Sequence, residues 1–338
     1  MSLDGQMTAW AVSGRPGTAD RVVPVTRPVP EPGPGEVLVR VRACGVCRTD
    51  LHLADHELAP KAAGVVPGHE GVGEVVALGA SVTRFAVGDR VGVAWLRRTC
   101  GQCRWCRSGR ENLCLRSAYT GWDADGCFAP YAVVPAAYAY RIPTDLPDTD
   151  AAPLLCAGII GYRALVAADL PPGGRLGIYG FGASAHLTAQ IAIAQGAEVH
   201  VLTRGRDARR LALELGARSA GRADDDPPVP LDSAILFAPA GDLVPVALAA
   251  LDQAGTLAVA GIHLSDIPPL DYQRHLFRER RLRSVTANTR ADGETLLRLA
   301  QTLRLRPHVT PYPFARTGDA LEDLARGRVT GAAVVVVP

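Results

Sequence analysis

A glycine-rich turn between a strand and a helix restricts the fold of this chain more than any other feature. Residues 176–185 read LGIYGFGASA, in which Gly180, Gly182 and Ala185 match the spacing G-x-G-x-x-[GA]. The first glycine permits a tight turn, the second leaves room for a pyrophosphate, and the third position requires a small side chain. The following helix would offer free N–H groups and its positive dipole end to the phosphates. The turn therefore predicts a dinucleotide-binding strand–helix unit.

Predicted strands and helices alternate around this turn. A helix at 152–168 precedes the strand 175–179 that leads into it. Beyond the turn we expect, in order, the helix 184–195, the strand 198–202, the helix 207–215 and the strands 233–237 and 256–259. Gly196 and Gly216 follow the two helices, at the usual place for a glycine stop. This alternation predicts a parallel, doubly wound sheet.

The first part of the chain has a different pattern of predicted elements. Between residues 8 and 134, short β-like runs such as 37–41, 73–78 and 90–93 are broken by Gly and Pro. These runs are too short for parallel β-α-β units, so we expect an irregular, mostly antiparallel, barrel-like domain. The last predicted strand, Ala332–Val337, is expected to return to this domain.

Composition limits the class of protein. The chain has 338 residues, 48% of them hydrophobic and 21% charged, which is typical of a soluble globular protein with room for two domains. Its formal net charge of +2 gives no whole-chain argument for binding nucleic acid. The longest apolar stretches, such as 332–337, are strand-sized, and residues 1–15 lack the features of a signal peptide. We therefore predict a cytoplasmic protein with no membrane partner.

Four of the eight cysteines lie in one short loop. Cys100, Cys103, Cys106 and Cys114 form a C-x2-C-x2-C-x7-C run, and thiolates at these spacings can surround one tetrahedral zinc ion. Disulfides would suit a small secreted domain better than a chain of this size. Reduced, unliganded thiols and an iron–sulfur cluster are the alternatives, although the proline that often follows the last cluster cysteine is missing. A zinc ion held by four protein ligands has a structural role.

A second, dispersed set of ligands predicts a zinc ion of a different kind. Cys47, His69 and Cys156 provide three ligands and leave a fourth position open for water or substrate. An open position is typical of catalytic zinc, which acts as a Lewis acid on a substrate oxygen. Cys44 and Cys127 have no such neighbours and are interpreted as core thiols.

The segments around these ligands resemble the medium-chain zinc-dependent alcohol dehydrogenase family, over nearly the whole chain. The residues that carry the resemblance are Gly45–His52, Gly68–Gly73 and Leu154–Gly158. The resemblance implies an α/β plus β fold, in which a GroES-like irregular β-barrel catalytic domain (1–157 and 295–338) contains an inserted Rossmann dinucleotide-binding domain (158–294). It also implies two zinc ions per chain, one catalytic and one structural, and a homo-oligomer, either a dimer or a tetramer.

The same resemblance assigns roles to residues near the dispersed ligands. It implies that Glu70 can take the fourth zinc position transiently and that Asp50 orients His69. Thr49 and His52 would be the catalytic residues that relay the alcohol proton to solvent. Two arginines, Arg48 and Arg290, would contact the pyrophosphate of the cofactor, and the strand end at 259–263 would lie near its nicotinamide.

The expected cofactor is NADP rather than NAD. NAD-specific enzymes usually carry an Asp or Glu at the end of the strand after the glycine-rich turn, but this chain has Thr203, Arg204 and Arg206 there. Guanidinium groups bind phosphate in bidentate fashion, which favours the 2′-phosphate of NADP. The alternative is that these arginines are solvated and the cofactor is NAD.

The function predicted from these features is hydride transfer between NADP(H) or NAD(H) and a small alcohol, aldehyde or ketone polarised by zinc. Trp95, Tyr119 and Trp122 would form an apolar wall near the metal, or would be core aromatics. Two alternatives are a zinc-free quinone or enone reductase of the same superfamily and a non-enzymatic NAD(P)-binding redox sensor. Neither needs both zinc sites, and the identity of the alcohol is not contained in the sequence.

Overall fold

The chain folds as two units, one of which is inserted in the sequence of the other. In the computed structural model, which describes residues 5–338, the first unit comprises the described residues up to Cys156 together with Ala287–Gln301 and Val309–Pro338. The second unit comprises Ala157–Thr286 and Thr302–His308. The domain boundaries given above, 1–157 with 295–338 and 158–294, stay a prediction.

The described residues contain seventeen strands. They are β1 (Gln6–Val12), β2 (Val22–Pro28), β3 (Glu36–Val46), β4 (Gly71–Leu78), β5 (Arg90–Val93), β6 (Leu96–Arg98), β7 (Ala118–Tyr119), β8 (Tyr131–Pro135), β9 (Tyr140–Arg141), β10 (Arg175–Tyr179), β11 (Glu198–Leu202), β12 (Ser219–Gly221), β13 (Leu231–Leu236), β14 (Leu251–Val259), β15 (Arg281–Ser284), β16 (Val309–Pro313) and β17 (Ala332–Val336).

Ten α-helices accompany these strands in the described part of the chain. They are α1 (Arg48–Ala54), α2 (Arg104–Arg107), α3 (Asp148–Pro153), α4 (Ile159–Ala168), α5 (Ala183–Ala194), α6 (Arg206–Glu214), α7 (Leu243–Ala250), α8 (Tyr272–His275), α9 (Arg290–Leu303) and α10 (Thr317–Ala325). Single turns of 3-10 helix lie at Glu111–Leu113, Ala136–Tyr138 and Phe314–Arg316, and a π-helical turn lies at Leu154–Gly158.

The first unit is built on a seven-stranded, mostly antiparallel sheet. Its strand order is β16-β17-β3-β4-β5-β9, with β8 also paired to β3, and β16 with β17 is its one parallel pair. The long strand β3 alternates buried side chains such as Val37, Val39 and Val41, which pack into the core of this unit. Strand β17 pairs antiparallel with β3, which confirms the predicted return of the last strand to the first domain.

The second unit contains a six-stranded sheet in the order β12-β11-β10-β13-β14-β15, with all neighbours parallel. This order is that of a dinucleotide-binding, doubly wound sheet, as predicted. Strand β10 lies at the centre and leads into the glycine-rich turn and α5. The sequence prediction began β14 five residues late, at 256 rather than Leu251, because the exposed residues at 253–254 interrupt the hydrophobic run.

Several elements of this fold were not predicted from the sequence. Among them is the 14-residue helix α9, which begins at Arg290 and has Leu296, Leu297 and Ala300 buried on one face. The prediction that apolar stretches are strand-sized was also wrong. The helical run Asp148–Ala168 has 21 residues and a mean hydropathy of 1.6, but 72% of it is buried inside the protein. Such burial is typical of a core helix, so its length is weak evidence for a membrane span.

Candidate metal centres and nucleotide-binding turn

The pairing of β3 with β4 brings the dispersed ligands together. Cys47 follows the end of β3, and His69 and Glu70 directly precede β4. Because the strands are antiparallel, with Cys44 opposite Gly71, the end of one strand lies beside the start of the other. Cys156 comes from the π-helical turn, 109 residues after Cys47.

These four residues form one compact set of ligand atoms. Cys47, His69, Glu70 and Cys156 each offer one atom, and these atoms lie within 4.8 Å of one another. The two sulfur atoms are 3.9 Å apart, far beyond a disulfide bond. Two thiolates bonded to one tetrahedral zinc ion at about 2.3 Å would be about 3.8 Å apart. The spacing therefore fits a shared metal ion.

His69 is oriented toward the thiols by a buried carboxylate. Its Nδ1 lies 3.2 Å from Oδ1 of Asp50, which also accepts a hydrogen bond from the Gly68 amide at 3.0 Å. The other carboxylate oxygen of Asp50 accepts from the Cys47 amide at 2.9 Å. Nε2 of His69 is buried and has no hydrogen-bond partner among the described residues. Burying a nitrogen atom without a hydrogen-bond partner destabilises the folded protein, so this nitrogen is expected to bind a ligand.

The charges of the set are strongly coupled. The thiol of Cys156 holds the pKa of Cys47 well below its ordinary value. The same contact, together with burial, raises the pKa of Cys156. Although burial acts to lower the pKa of His69, the carboxylate of Asp50 and the thiol of Cys47 raise it well above its ordinary value. The protonation of each of these groups therefore depends on the others, and binding of a metal ion would displace the protons that they hold.

Gly45 leaves the space that the Glu70 carboxylate occupies. A Cβ atom on Gly45 would lie 1.9 Å from Oε2 of Glu70, so no larger residue fits without moving that side chain. Glu70 is 2% exposed. The requirement for glycine here was not apparent in the sequence, because it depends on a neighbour 25 positions away.

Three of the other predicted site residues lie on α1. Thr49 is buried, and its hydroxyl is 3.6 Å from the sulfur of Cys47. His52 lies one turn further along, and its Nδ1 contacts the carboxylate of Glu57. Arg48, the first residue of the helix, is exposed. Thr49 and His52 are three positions apart, so they share one face of the helix.

Aromatic rings border the metal set, and both predicted alternatives hold, because Trp95 is also a core residue and Trp122 also packs against a buried hydrophobic cluster. The edge of Trp95 meets His69 at a centroid distance of 4.8 Å. Tyr119 and Trp122 are near-parallel to Trp95, at centroid distances of 4.9 and 5.9 Å. Trp95 is buried and the other two rings are partly exposed, so the three form an aromatic wall beside the ligands.

The four-cysteine loop also gathers its sulfur atoms. Ligand atoms of Cys100, Cys103, Cys106 and Cys114 lie within 4.8 Å of one another, and all four thiols are free. The sulfur of Cys106 is 3.9 Å from that of Cys100 and 3.5 Å from that of Cys103, which excludes disulfides. Backbone amides of Gln102 and Cys103 lower the pKa of Cys100 to about 5, which favours the thiolate that binds metal.

The glycine-rich turn has the shape expected of a phosphate cradle. Gly180 has a φ of +86°, and a Cβ there would meet the Ala238 amide nitrogen at 2.8 Å, so the fold itself requires glycine. Gly182 differs, because its φ of −109° suits any residue and a Cβ would meet nothing within 4 Å. Ala185 is fully buried in the first turn of α5. The open space at Gly182 therefore suits a ligand that approaches the backbone.

The end of β11 lies beside this turn. The Gly180 amide donates to the Leu202 carbonyl at 2.8 Å, and the residues after Leu202 lie at the same sheet edge. Thr203 is buried there, whereas Arg204 and Arg206 are exposed and form no ion pair among the described residues.

Arg209 holds the loop after β11 in place. Its guanidinium donates to the carbonyls of Thr203 and Arg204, both at 2.9 Å. This contact was not predicted, since a basic residue within a helix gives no sequence signal of a contact with the preceding loop. The Arg209 side chain therefore supports the loop that carries Arg204, and its guanidinium is already engaged in these two hydrogen bonds.

Arg290 has protein partners. Oε1 of the buried Glu111 accepts hydrogen bonds from the Arg290 amide and from its Nε at 3.1 and 3.3 Å. The guanidinium also lies over the ring of Tyr138. A contact between Arg290 and a pyrophosphate therefore stays a prediction, as does that of Arg48.

Comparison with known proteins agrees with this arrangement. Residues 33–144 match the family described as alcohol dehydrogenase GroES-like domain. The chain is 57% identical to the Mycobacterium tuberculosis protein named "Probable alcohol dehydrogenase AdhA", over 98% of this chain and 97% of that one. The cinnamyl alcohol dehydrogenase SbCAD4 of Sorghum bicolor has a similar structure, with a TM-score of 0.88, 30% identity and 98% of each chain covered.

Acetophenone reductase of Geotrichum candidum, solved in complex with NAD, is also similar. Its TM-score is 0.89 at 26% identity, with 99% of this chain and 98% of that chain covered. The match to the Mycobacterium protein extends over both units, and the two structural matches do the same. The fold, the ligand sets and these similarities together show that the chain belongs to the medium-chain, zinc-dependent alcohol dehydrogenase family.

Proposed function

We propose that this alcohol dehydrogenase transfers a hydride between a nicotinamide dinucleotide and a small alcohol or its aldehyde or ketone, with zinc held by Cys47, His69 and Cys156. The observation that carries the proposal is the buried, unpartnered Nε2 of His69 beside two thiols. A bound zinc ion would supply a Lewis acid for the substrate oxygen. A zinc-free reductase or a nucleotide-binding redox sensor does not require three ligands that hold a zinc ion with an open position.

Residues around the ligands have separate tasks in this proposal. Asp50 keeps a proton on Nδ1 of His69 and so leaves the Nε2 lone pair for the metal. The Thr49 hydroxyl, close to the Cys47 sulfur, would take the alcohol proton and release its own through the cofactor ribose to His52, which would pass it to solvent. The carboxylate of Glu70, which lies among the ligand atoms, would take the fourth metal position transiently. The aromatic wall of Trp95, Tyr119 and Trp122 keeps water from the substrate and favours small apolar alcohols.

The four-cysteine loop would hold a second, structural zinc ion. Its four sulfur atoms supply every ligand that a tetrahedral zinc ion needs, so no position remains for substrate. This ion would stabilise residues 100–114 and take no part in turnover.

NADP is the proposed cofactor in preference to NAD. We expect NADPH to support aldehyde reduction with a kcat/KM at least about tenfold above that of NADH, because Arg204 and Arg206 form no ion pair within residues 5–338 and can bind the 2′-phosphate. The test measures oxidation of both cofactors against a panel of small aldehydes and ketones, with and without a zinc chelator. Turnover that survives complete removal of zinc would contradict the proposed mechanism.

A matched pair of variants separates the phosphate contact from general charge. Arg204→Gln should reduce kcat/KM for NADPH about tenfold and leave NADH nearly unchanged. Arg210→Gln is the control, because Arg210 is also exposed but is paired with Asp207 and Glu214. A clear preference of the wild-type enzyme for NADH would refute the assignment.

We further propose that the enzyme is a dimer or a tetramer and is cytoplasmic. Strand β15 is an edge of the parallel sheet, and its four residues are all exposed. Tyr272, Phe277 and Leu282 add exposed apolar surface in the same unit. Light scattering after size-exclusion chromatography should give two or four times the chain mass of 35.6 kDa. A single-chain mass at micromolar concentration would contradict the oligomer.

A further inference from the structure

His186 joins the nucleotide-binding turn to a distant segment of the same unit. It lies in the first turn of α5 and is fully buried. Its Nδ1 is 3.1 Å from the carbonyl oxygen of Gly182, and its Nε2 accepts a hydrogen bond from the His308 amide at 3.1 Å. The Gly182 oxygen also accepts the regular helix hydrogen bond from the His186 backbone amide at 3.1 Å, so the imidazole is its second donor.

These two partners determine where the imidazole proton lies. A carbonyl oxygen can only accept a hydrogen bond and a backbone amide can only donate one. His186 must therefore carry its proton on Nδ1 and present a lone pair at Nε2. Burial lowers its pKa to about 4, so the ring is neutral at ordinary assay pH. The neutral ring therefore links the two backbone groups, donating to the Gly182 carbonyl through Nδ1 and accepting from the His308 amide through Nε2.

The Gly182 carbonyl is a sensitive point for cofactor binding. Gly182 caps α5, and its peptide bond links it to Ala183, the first residue of the helix. In a planar trans peptide the C=O and the next N–H point in opposite directions. Holding the Gly182 oxygen toward His186 therefore aims the Ala183 N–H away from it. Free N–H groups of this kind at a helix start bind phosphate.

We propose that His186 is a positioning residue for the dinucleotide: as the second donor to the Gly182 oxygen, its ring restricts the orientation of the Gly182 peptide, and hence of the Ala183 N–H, by bracing it against the backbone of His308. This inference rests on the proposed nucleotide-binding function. His186 itself would not touch the cofactor. It would act through the glycine-rich turn, which binds the cofactor in the proposed function.

A simpler role would be to anchor the 302–308 segment to α5, and a neighbouring residue already does so. The Gln190 amide donates to the Arg306 carbonyl at 3.1 Å and accepts from the Arg306 amide at 3.0 Å. Gln190 lies one turn after His186 and makes no contact with Gly182 in the described structure. It is therefore a matched control for the loss of segment anchoring alone.

Two substitutions at His186 separate its two hydrogen bonds. The amide nitrogen of Asn lies near the position of Nδ1, so His186→Asn keeps the bond to Gly182 and loses that to His308. The amide of Gln reaches the position of Nε2, so His186→Gln keeps the bond to His308 and loses that to Gly182. The measured quantities are the Kd of NADPH by fluorescence titration, the KM for NADPH, kcat and the Tm.

We expect His186→Gln to raise the Kd and KM for NADPH about tenfold with little change in kcat, because one oriented phosphate contact is weakened. His186→Asn should stay within about threefold of the wild type, as should Gln190→Leu. Equal Kd values for the Asn and Gln variants, or a loss with Gln190→Leu as large as with His186→Gln, would overturn the inference.

A second measurement needs no variant. NMR of the wild-type enzyme with 15N-labelled histidine should show one buried imidazole with its proton on Nδ1, assigned by its absence in His186→Asn or in a His186→Leu variant. The opposite tautomer would refute the bridge. If the wild type binds neither NADPH nor NADH, the proposed function itself fails; if it binds and His186→Gln binds equally well, the inference fails alone.

Discussion

Replacing Cys47 with serine should reduce kcat/KM by at least about a thousandfold, because a bound zinc ion contributes several kcal/mol to the polarised substrate oxygen. Zinc content should fall from about two ions to about one per chain. NADPH binding should persist, since the glycine-rich turn and the Arg204 loop are built from other residues. Metal analysis, steady-state kinetics and fluorescence titration measure these three quantities on one preparation.

Cys44 provides the matched control for this experiment. It lies three positions before Cys47, is fully buried, and has its thiol 3.4 Å from the Gly45 carbonyl, outside the ligand set. Cys44→Ala should keep both zinc ions and most of the activity. The reciprocal variant, Cys103→Ser, should lose the other zinc ion and lower the Tm with a smaller effect on kcat. If the Cys44 and Cys47 variants lose activity equally, the dispersed set is not the catalytic zinc site.

Asp50→Asn should weaken zinc binding and lower kcat/KM by roughly 10- to 100-fold, the usual cost of losing a carboxylate that orients a metal-binding histidine. Both oxygens of Asp50 accept hydrogen bonds: one from His69 and the Gly68 amide, the other from the Cys47 amide. An asparagine amide group would place N–H against one of these donors. Zinc affinity is measured by competition with a chelator, and kcat/KM with a saturating cofactor.

Asp55→Asn serves as the comparison, because Asp55 belongs to the cap of the same helix but pairs with Arg21 instead of a metal ligand. That substitution should lower stability and leave zinc affinity unchanged. An Asp50→Asn enzyme with wild-type zinc affinity and wild-type kcat/KM would contradict this prediction. It would show that His69 binds the metal without a carboxylate to orient it.

Much of the fold could be predicted because it depends on local sequence patterns. The glycine-rich turn, the alternation of strands and helices around it, and the C-terminal strand were identified from spacing and hydrophobic periodicity. Helix α9 was not predicted, because its first residues are mostly polar and its buried leucines begin only at Leu296.

The sequence alone determined which residue types could bind metal and phosphate, because four cysteines within fifteen residues and a G-x-G-x-x-A turn act through local spacing. Only the tertiary structure decided how the dispersed groups meet. The pairing of β3 with β4 and the π-helical turn bring Cys47, His69 and Cys156 together. The same holds for Gly45 beside Glu70 and for His186 beside His308. Contacts between residues far apart in the chain depend on strand order and packing, which no local spacing records.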